Sequence, residues 1–573
     1  MRRVLCYLKD YKLESILGPL FKLVEACFEL IVPFVIAAII DKGIPAGDAS
    51  YILQMGGILV LLALVGLASS VTAQYYAAKA AVGLAAKLRH ALFAHVQKLS
   101  YADLDRIGTS TLITRMTSDI NQVQTGVNLA LRLFLRSPFI VFGAMIMAFT
   151  IDVKSALVFA VAIPVLAVIV FGVMLITMPM YKNTQGQLDG VLQLTRENLT
   201  GTRVLRAFGR EEEEIQDFTQ RHDLLTALQE RAGRISALMN PLTYTVINLA
   251  LVALIYSGAV QVNIGNLSQG QVVALTNYMG QILVELIKLA NLIITVSKAV
   301  ACGKRVGTVL AVRPSLSQAG SPLRISREKR GLVEFDHVSL KYGGSASEAL
   351  TDVRFTARPG QMIGVIGGTG SGKSTLVNLI PRFYEATEGV VRVGGEDVRT
   401  QALEELRSRI GVVPQKALLF KGSIRDNLLW GNPKASDEDI LEAVRAAQAE
   451  DVVAAKGGLD GEIEQYGRNL SGGQRQRLTI ARALVRRPDV LILDDSASAL
   501  DFATDAKLRM AIRQLDYQPT VFIVSQRASS VRFADQIIVM DDGHVAGIGA
   551  HEELLAGCPV YREIFDSQFR REV

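Results

Sequence analysis

Cysteine is nearly absent: Cys6, Cys27, Cys302 and Cys558 are the only four in 573 residues, and none sits in a CxxC pair. A disulfide-stapled secreted module and a cysteine-rich metal site are therefore excluded. Aromatic residues make up only 6% and tryptophan occurs once. Charged residues reach only 20% beside 50% hydrophobic ones, which excludes a disordered scaffold. The excess of one sign is small, +6, with a pI near 9.0. In a chain of mean hydropathy +0.29, such a balance fits the cytoplasmic Lys and Arg of a membrane protein better than a nucleic-acid surface. A cleavage site is missing too. The basic stretch 1–12 leads into an apolar segment too long for a cleaved signal, so that segment is expected to be retained.

Long apolar runs are present, and only in the first part of the chain. A membrane-crossing helix needs about 20 predominantly apolar residues. Six candidates precede position 310: residues 16–40, 52–73, 129–149, 155–179, 242–260 and 272–296. Spans one and two, three and four, and five and six are joined by short connections that hold only Lys42 and Lys154. The two long connections are basic: Lys87, Arg89, Lys98, Arg106 and Arg115 in one, and Lys182, Arg196, Arg203, Arg206, Arg210, Arg221, Arg231 and Arg234 in the other. The Lys/Arg bias then puts the N-terminus, both long connections and the C-terminal part in the cytoplasm. The long connections keep helical periodicity, as in residues 87–98, so they are expected to be membrane helices continuing into the cytoplasm. Rigid arms of this kind suit a machine that transmits force; a loop without a mechanical role is the plainer alternative.

Lys22, Glu25 and Glu29 fall at spacings that share one helix face, as do Glu285 and Lys288. Charges in a span are costly against lipid, so they are expected to line a polar substrate path or to pair with one another. Arg132 and Arg136, near a cytoplasmic end, are expected to snorkel.

From 331 onward the chain reads as a soluble α/β domain, after a Pro/Gly/Ser-rich linker over 311–330. The apolar run 361–366 leads directly into Gly367-Gly-Thr-Gly-Ser-Gly-Lys-Ser-Thr375, a complete P-loop in its strand-to-helix context. Glycine lets backbone N–H groups wrap phosphates, Lys373 reaches the β/γ-phosphates, and Ser374 offers a hydroxyl to Mg²⁺. A second apolar strand, 490–493, ends in Asp494 and Asp495, where P-loop NTPases carry a metal-organising carboxylate. Between them, Leu470-Ser-Gly-Gly-Gln474 opens a helix whose start would bind an anion; alone, it is also a plain N-cap.

These motifs, in this order, resemble the ATP-binding cassette (ABC) transporters over nearly the whole chain, in the form of a bacterial exporter half-transporter. The resemblance implies an α-helical membrane domain of six transmembrane helices with long cytoplasmic extensions (1–310), then an α/β P-loop nucleotide-binding domain (331–573). It implies ATP and Mg²⁺ as ligands. Tyr342 matches the adenine-stacking aromatic. Gly367, Gly370, Ser371, Gly372, Lys373, Ser374 and Thr375 match the phosphate loop. Ser374, Gln415 and Asp494 match the Mg²⁺ ligands, and Ser471, Gly472, Gly473 and Gln474 the signature that completes a partner's ATP site. Residues 498–501 match the loop after the second strand, and 108–119 and 201–208 resemble the two coupling-helix regions.

Two departures stand out. The family's catalytic base is a Glu after the strand-end Asp; here it is Asp495, one methylene short. The family's switch His is here Gln526, which cannot carry a proton as His does. Gln465 also replaces a Glu ahead of the signature. The pattern resembles the degenerate half of a heterodimeric multidrug-type exporter in a bacterial inner or plasma membrane. Its partner would carry the Glu and the His, and its substrate would be an amphipathic drug, lipid or peptide. The alternatives are a homodimer with Asp495 as a weak base, or a nucleotide-gated regulator or channel subunit.

Overall fold

The computed structural model describes residues 1–316, 326–343, 347–496 and 498–569. Residues 317–325 of the expected linker lie outside the described residues. Two compact units divide the chain: Met1–Gln97 with Ser110–Val312, and Lys98–Thr109 with Arg313–Val573.

The principal helices up to 312 are α1 (Lys12–Ala38), α2 (Ala49–Val96), α3 (Tyr101–Ile107), α4 (Ile120–Leu133), α5 (Arg136–Ile151), α6 (Val153–Phe208), α7 (Glu211–Ala237), α8 (Met239–Ile264) and α9 (Gln269–Val309). All but α3 belong to the first unit. Six stretches of this unit are long and apolar enough to cross a membrane. With 48 and 56 residues, α2 and α6 measure about 70 and 85 Å at about 1.5 Å per residue, more than twice a bilayer's hydrocarbon core. The surplus is the helical extension that the periodicity of the long connections foretells. Side-chain caps start these helices where Asp or Ser precedes them: Asp48 accepts from the N–H groups of Ser50 and Tyr51, Asp152 from that of Ser155, and Ser268 forms a capping box with Gln271. Asp41, just past α1, accepts from the N–H of Gly270 at 2.7 Å and from the Ser268 hydroxyl, tying the end of the first span to the start of α9. Small side chains, Ala73, Ala77, Ala80, Ala81 and Ala85, form much of the buried face of α2, which allows close helix approach.

In the second unit, β1 (Val333–Leu340), β2 (Leu350–Ala357), β4 (Glu388–Val393) and β5 (Glu396–Asp397) form an antiparallel sheet in the order β2-β1-β4-β5. The second sheet holds β3 (Met362–Gly367), β6 (Ile410–Val413), β7 (Val490–Asp494), β8 (Thr520–Ser525), β9 (Gln536–Asp541) and β10 (His544–Gly549) in the order β10-β9-β3-β8-β7-β6. All its pairs are parallel except β9–β10. The strands β3 and β8 are buried throughout, which is why β3 and the 521–524 centre of β8 read as unbroken apolar runs. They are neighbours, and β8 also pairs with β7, so the carboxyl ends of β3, β8 and β7 lie side by side. Ligands of parallel α/β sheets bind outside that edge.

The segment packed with the nucleotide-binding unit is Lys98–Thr109, not 108–119. Ser100 and Asp103 start α3 with a reciprocal capping box, and Gly108 ends it at φ +81°. The correction has a local cause: a buried cap and a left-handed glycine set this short helix off from the arm that resumes at Thr109.

Candidate nucleotide site

The P-loop joins β3 to α10 (Lys373–Leu379). Two of its glycines are required by space. At Gly372, φ is +94° and a Cβ would stand 2.8 Å from the carbonyl oxygen of Ala349. At Gly367 a Cβ would overlap the carbonyl of Met540 on the neighbouring β9. The Ser371 side chain is buried and donates to Gly368 O at 2.9 Å, holding the loop closed on itself. The Lys373 Nζ donates to Gly367 O at 3.0 Å and to Gly368 O, folded back along the loop. Burial pushes this ammonium's pKa down, and the charges of Asp495 and Asp494 pull it part of the way back.

A cavity of about 320 Å³ opens over this loop. Its lining brings together Tyr342, Gly370, Gly372, Lys373, Ser374, Thr375, Gln415, Asp494, Asp495 and Gln526, so the residues matched to the ATP motifs outside the signature meet here, save Gly367 and Ser371. The Ser374 hydroxyl donates to Asp494 Oδ1 at 3.0 Å. This hydroxyl and carboxylate, with the Gln415 amide in the same lining, form an oxygen donor set that fits Mg²⁺. Burial pushes the Asp494 carboxyl up, and the neighbouring Asp495 charge adds to the rise against the Ser374 hydrogen bond and Lys373. Its ionised form at neutral pH is therefore a cost to folding. Asn in its place keeps the acceptor for Ser374. Asp494→Asn is expected to raise the nucleotide-free thermal midpoint at pH 7 while abolishing Mg²⁺-dependent hydrolysis. The gain fades as pH falls through the raised pKa and is gone below the ordinary carboxylate range. Thermal unfolding across pH checks both the sign and the window.

Asp495 follows β7 with φ +46°, a left-handed conformation that Asp tolerates better than most residues. Its N–H donates to Val524 O at 2.9 Å, and its Oδ2 accepts from the Gln415 amide at 3.3 Å. Gln526 follows β8 and lines the same cavity.

The signature residues stand apart. Ser471 caps α11 (Gly472–Leu484) in a reciprocal box with Gln474, whose side-chain oxygen accepts from the Ser471 N–H at 2.9 Å. The Gln474 side chain is thereby committed to the cap. Ser471 and Gly472 are exposed, and residues 470–474 line no part of the P-loop cavity. Gly472 faces a second cavity, of about 680 Å³, whose lining includes Tyr466 and Arg468 and which shares Gln415 with the first. This helix start, with the Gln474 N–H taken by the Ser471 hydroxyl, does not line the chain's own P-loop cavity.

Six charged residues within the spans of the membrane unit form a neutral network of three cations and three carboxylates. Arg136 donates from Nη1 to Glu285 at 2.6 Å and from Nη2 to Glu29 at 2.6 Å, and approaches Glu25 at 4.0 Å. Lys288 pairs with Glu285 at 2.8 Å, and Ser137 donates to the same carboxylate at 2.7 Å. Lys22 pairs with Glu25 and donates to Ser70 at 3.0 Å. Arg136 is only 6% exposed, so the expected snorkelling is corrected: it is the hub that joins α1, α5 and α9. Removing one partner of a buried pair strands the other charge at a cost of about 3–5 kcal/mol. Arg136→Met is therefore expected to lower the thermal midpoint in detergent far more than Glu29→Gln, whose side chain is 38% exposed. Equal shifts would contradict the hub role.

Residues 15–286 match the family model described as the ABC transporter transmembrane region, and residues 350–498 the one described as ABC transporter. An uncharacterised ABC transporter ATP-binding protein of Mycobacterium tuberculosis is 36% identical over 98% of this chain and 97% of its own. The uncharacterised ABC transporter ATP-binding protein YfiB of Bacillus subtilis is 35% identical over 100% and 99%. An ATP-dependent lipid A-core flippase of Syntrophus aciditrophicus is 30% identical over 85% and 81%. A solved structure of a bacterial Atm1-family ABC exporter with ATP bound superposes with a TM-score of 0.79, covering 99% of both chains at 21% identity, and shares the fold. Six apolar helices followed by an α/β nucleotide-binding domain make this a multi-pass membrane protein of exporter half-transporter fold.

Proposed function

The chain belongs to the ABC transporter family, and on that footing we propose that it is the degenerate-site subunit of a heterodimeric, ATP-driven exporter. The observation that carries this reading is the division of its motifs. Asp495 and Gln526 share the P-loop cavity, while an unaltered Ser471-Gly-Gly-Gln474 faces away from it.

ATP is held with its base on Tyr342 and its phosphates against the N–H groups of 370–375 and Lys373. Ser374, Asp494 and Gln415 would hold Mg²⁺, which would supply positive charge against the phosphates. Asp495 ends one methylene short of the in-line water, and Gln526 has no proton to exchange, so this site binds ATP and turns it over slowly. The exposed start of α11 supplies Ser471, Gly472 and Gly473 to the partner's P-loop, where the partner's Glu and His complete a fast site. ATP binds the closed pair of nucleotide-binding domains more tightly than the open pair, and that difference drives the long helical arms from inward- to outward-open. The Lys and Arg bias of the long connections supports a cytoplasmic N-terminus and nucleotide-binding domain in a bacterial cell. Pairing of Glu25, Glu29 and Glu285 with Lys22, Arg136 and Lys288 leaves no net charge to favour a cation. The substrate class is therefore an amphipathic molecule met in the membrane, such as a drug, lipid or peptide.

Uptake into inside-out vesicles tests the exporter reading, with a fluorescent phospholipid, a lipophilic dye and a labelled hydrophobic peptide as probes. ATP-dependent accumulation of at least one is expected. ATP turnover with accumulation of none would favour a nucleotide-gated regulator.

A further inference from the structure

Helix α3 is fastened on two sides. Its capping box also clasps the chain that returns from α9: Asp103 Oδ2 accepts the Ser315 N–H at 3.0 Å, and the Ser100 and Ser315 hydroxyls lie 2.6 Å apart. On the other side, Tyr101 packs on Phe383 with ring centroids 4.6 Å apart, and the Tyr384 hydroxyl donates to Asp105 Oδ2 at 2.6 Å. Tyr384 has a second partner. Its ring meets Tyr342 edge-to-face, with centroids 5.1 Å apart and planes at 89°. Tyr342 in turn donates to Thr375 Oγ1 at 3.1 Å, within α10.

One side chain thus touches both the candidate base-stacking ring and helix α3. A base lying on Tyr342 fixes the plane of that ring, and an edge-to-face neighbour has few good orientations against a fixed ring. Fixing Tyr384 fixes the direction of its hydroxyl and hence the place of Asp105. Tyr101, one turn before Asp105 on α3, packs against the same residue pair, so both contacts respond together. This contact chain runs from the base end of the cavity. It is separate from Gln415, which lies against Asp495 at the phosphate end.

We propose that Tyr384 is a positioning residue that links base occupancy of the nucleotide site to the order of α3, so that a stacked base, and not the phosphates alone, secures this helix. The inference rests on the reading of the cavity as an ATP site.

Hydrogen exchange of residues 98–109 in the full-length complex in nanodiscs, with and without ATP and Mg²⁺, tests it, with ATP affinity measured alongside. ATP is expected to slow exchange of this segment. Tyr384→Phe keeps the ring but loses the hydrogen bond, and should cut that slowing about fivefold, the worth of one such bond. The ATP dissociation constant should stay at its wild-type value, and nucleotide-free exchange should change less than ATP-bound exchange does. Asp105→Asn keeps an acceptor and should retain the response, whereas Asp105→Ala should lose it. An undiminished ATP response in Tyr384→Phe, or an equal loss already present without nucleotide, would overturn the link alone. Failure of the wild-type complex to bind ATP would overturn the reading of the site with it.

Discussion

Asp495→Glu is expected to raise ATP turnover at this chain's own site by about one to two orders of magnitude. A carboxylate about 1 Å out of place costs on the order of 10²-fold, close to 2.7 kcal/mol of barrier. Glu restores the missing methylene. The opposing term is backbone strain, because residue 495 stands at φ +46°, where a longer side chain is less at ease than Asp. That conformation costs about 1–2 kcal/mol, most of which Asp495 already bears, so the longer reach outweighs it. Gln526→His should add to the gain by restoring a group that exchanges protons near pH 7. Single-turnover hydrolysis, with the partner's base neutralised so that only this site reports, separates the two contributions. Turnover unchanged in the double variant would sink the claim that these two residues limit the site.

Gly472→Asp is expected to have the largest effect of any signature substitution on the assembled transporter. A Cβ at Gly472 meets nothing within 4 Å, and the position is exposed, so the variant folds. An acidic residue in the first turn even favours the helix. On the proposed reading, however, its carboxylate would stand where a phosphate of the partner's ATP is received. Two like charges about 4 Å apart repel by about 4 kcal/mol at an effective dielectric near 20. Hydrolysis by the complex should fall by at least about 100-fold, allowing for screening. ATP affinity of this chain's own P-loop should not change, because residues 470–474 do not line its cavity. Equilibrium binding to this chain beside steady-state hydrolysis of the complex distinguishes these effects. Affinity and turnover falling together would contradict the division of motifs.

What was legible in the residues was whatever is carried by contiguous sequence. The P-loop, the strand ending in Asp494 and the signature each keep their chemistry within a few positions, and the fold brings the first two to one sheet edge. The six spans were equally plain, since apolar length alone defines them. What escaped was pairing over long separations. Arg136 looked like a snorkelling residue because Glu29 and Glu285 lie 107 and 149 positions away. Tyr384 and Asp105 are 279 positions apart, and neither belongs to a motif. Helix α3 did leave a local trace: Ser100 and Asp103 at capping-box spacing, with Gly108 after the last turn. The basic, helical surroundings on both sides masked that short signal, and the segment that groups with the second unit begins before the residues the sequence pointed to.

The assignment of fast hydrolysis to another chain is the central claim, and it is tested most directly by the composition of the complex. This chain, tagged and purified from its native membrane, is to be resolved by intact-mass analysis. The expected result is an equimolar complex with a second half-transporter of similar size, whose residues at the positions of Asp495 and Gln526 are Glu and His. A complex holding only copies of this chain would contradict it, and Asp495 would then have to serve as the base.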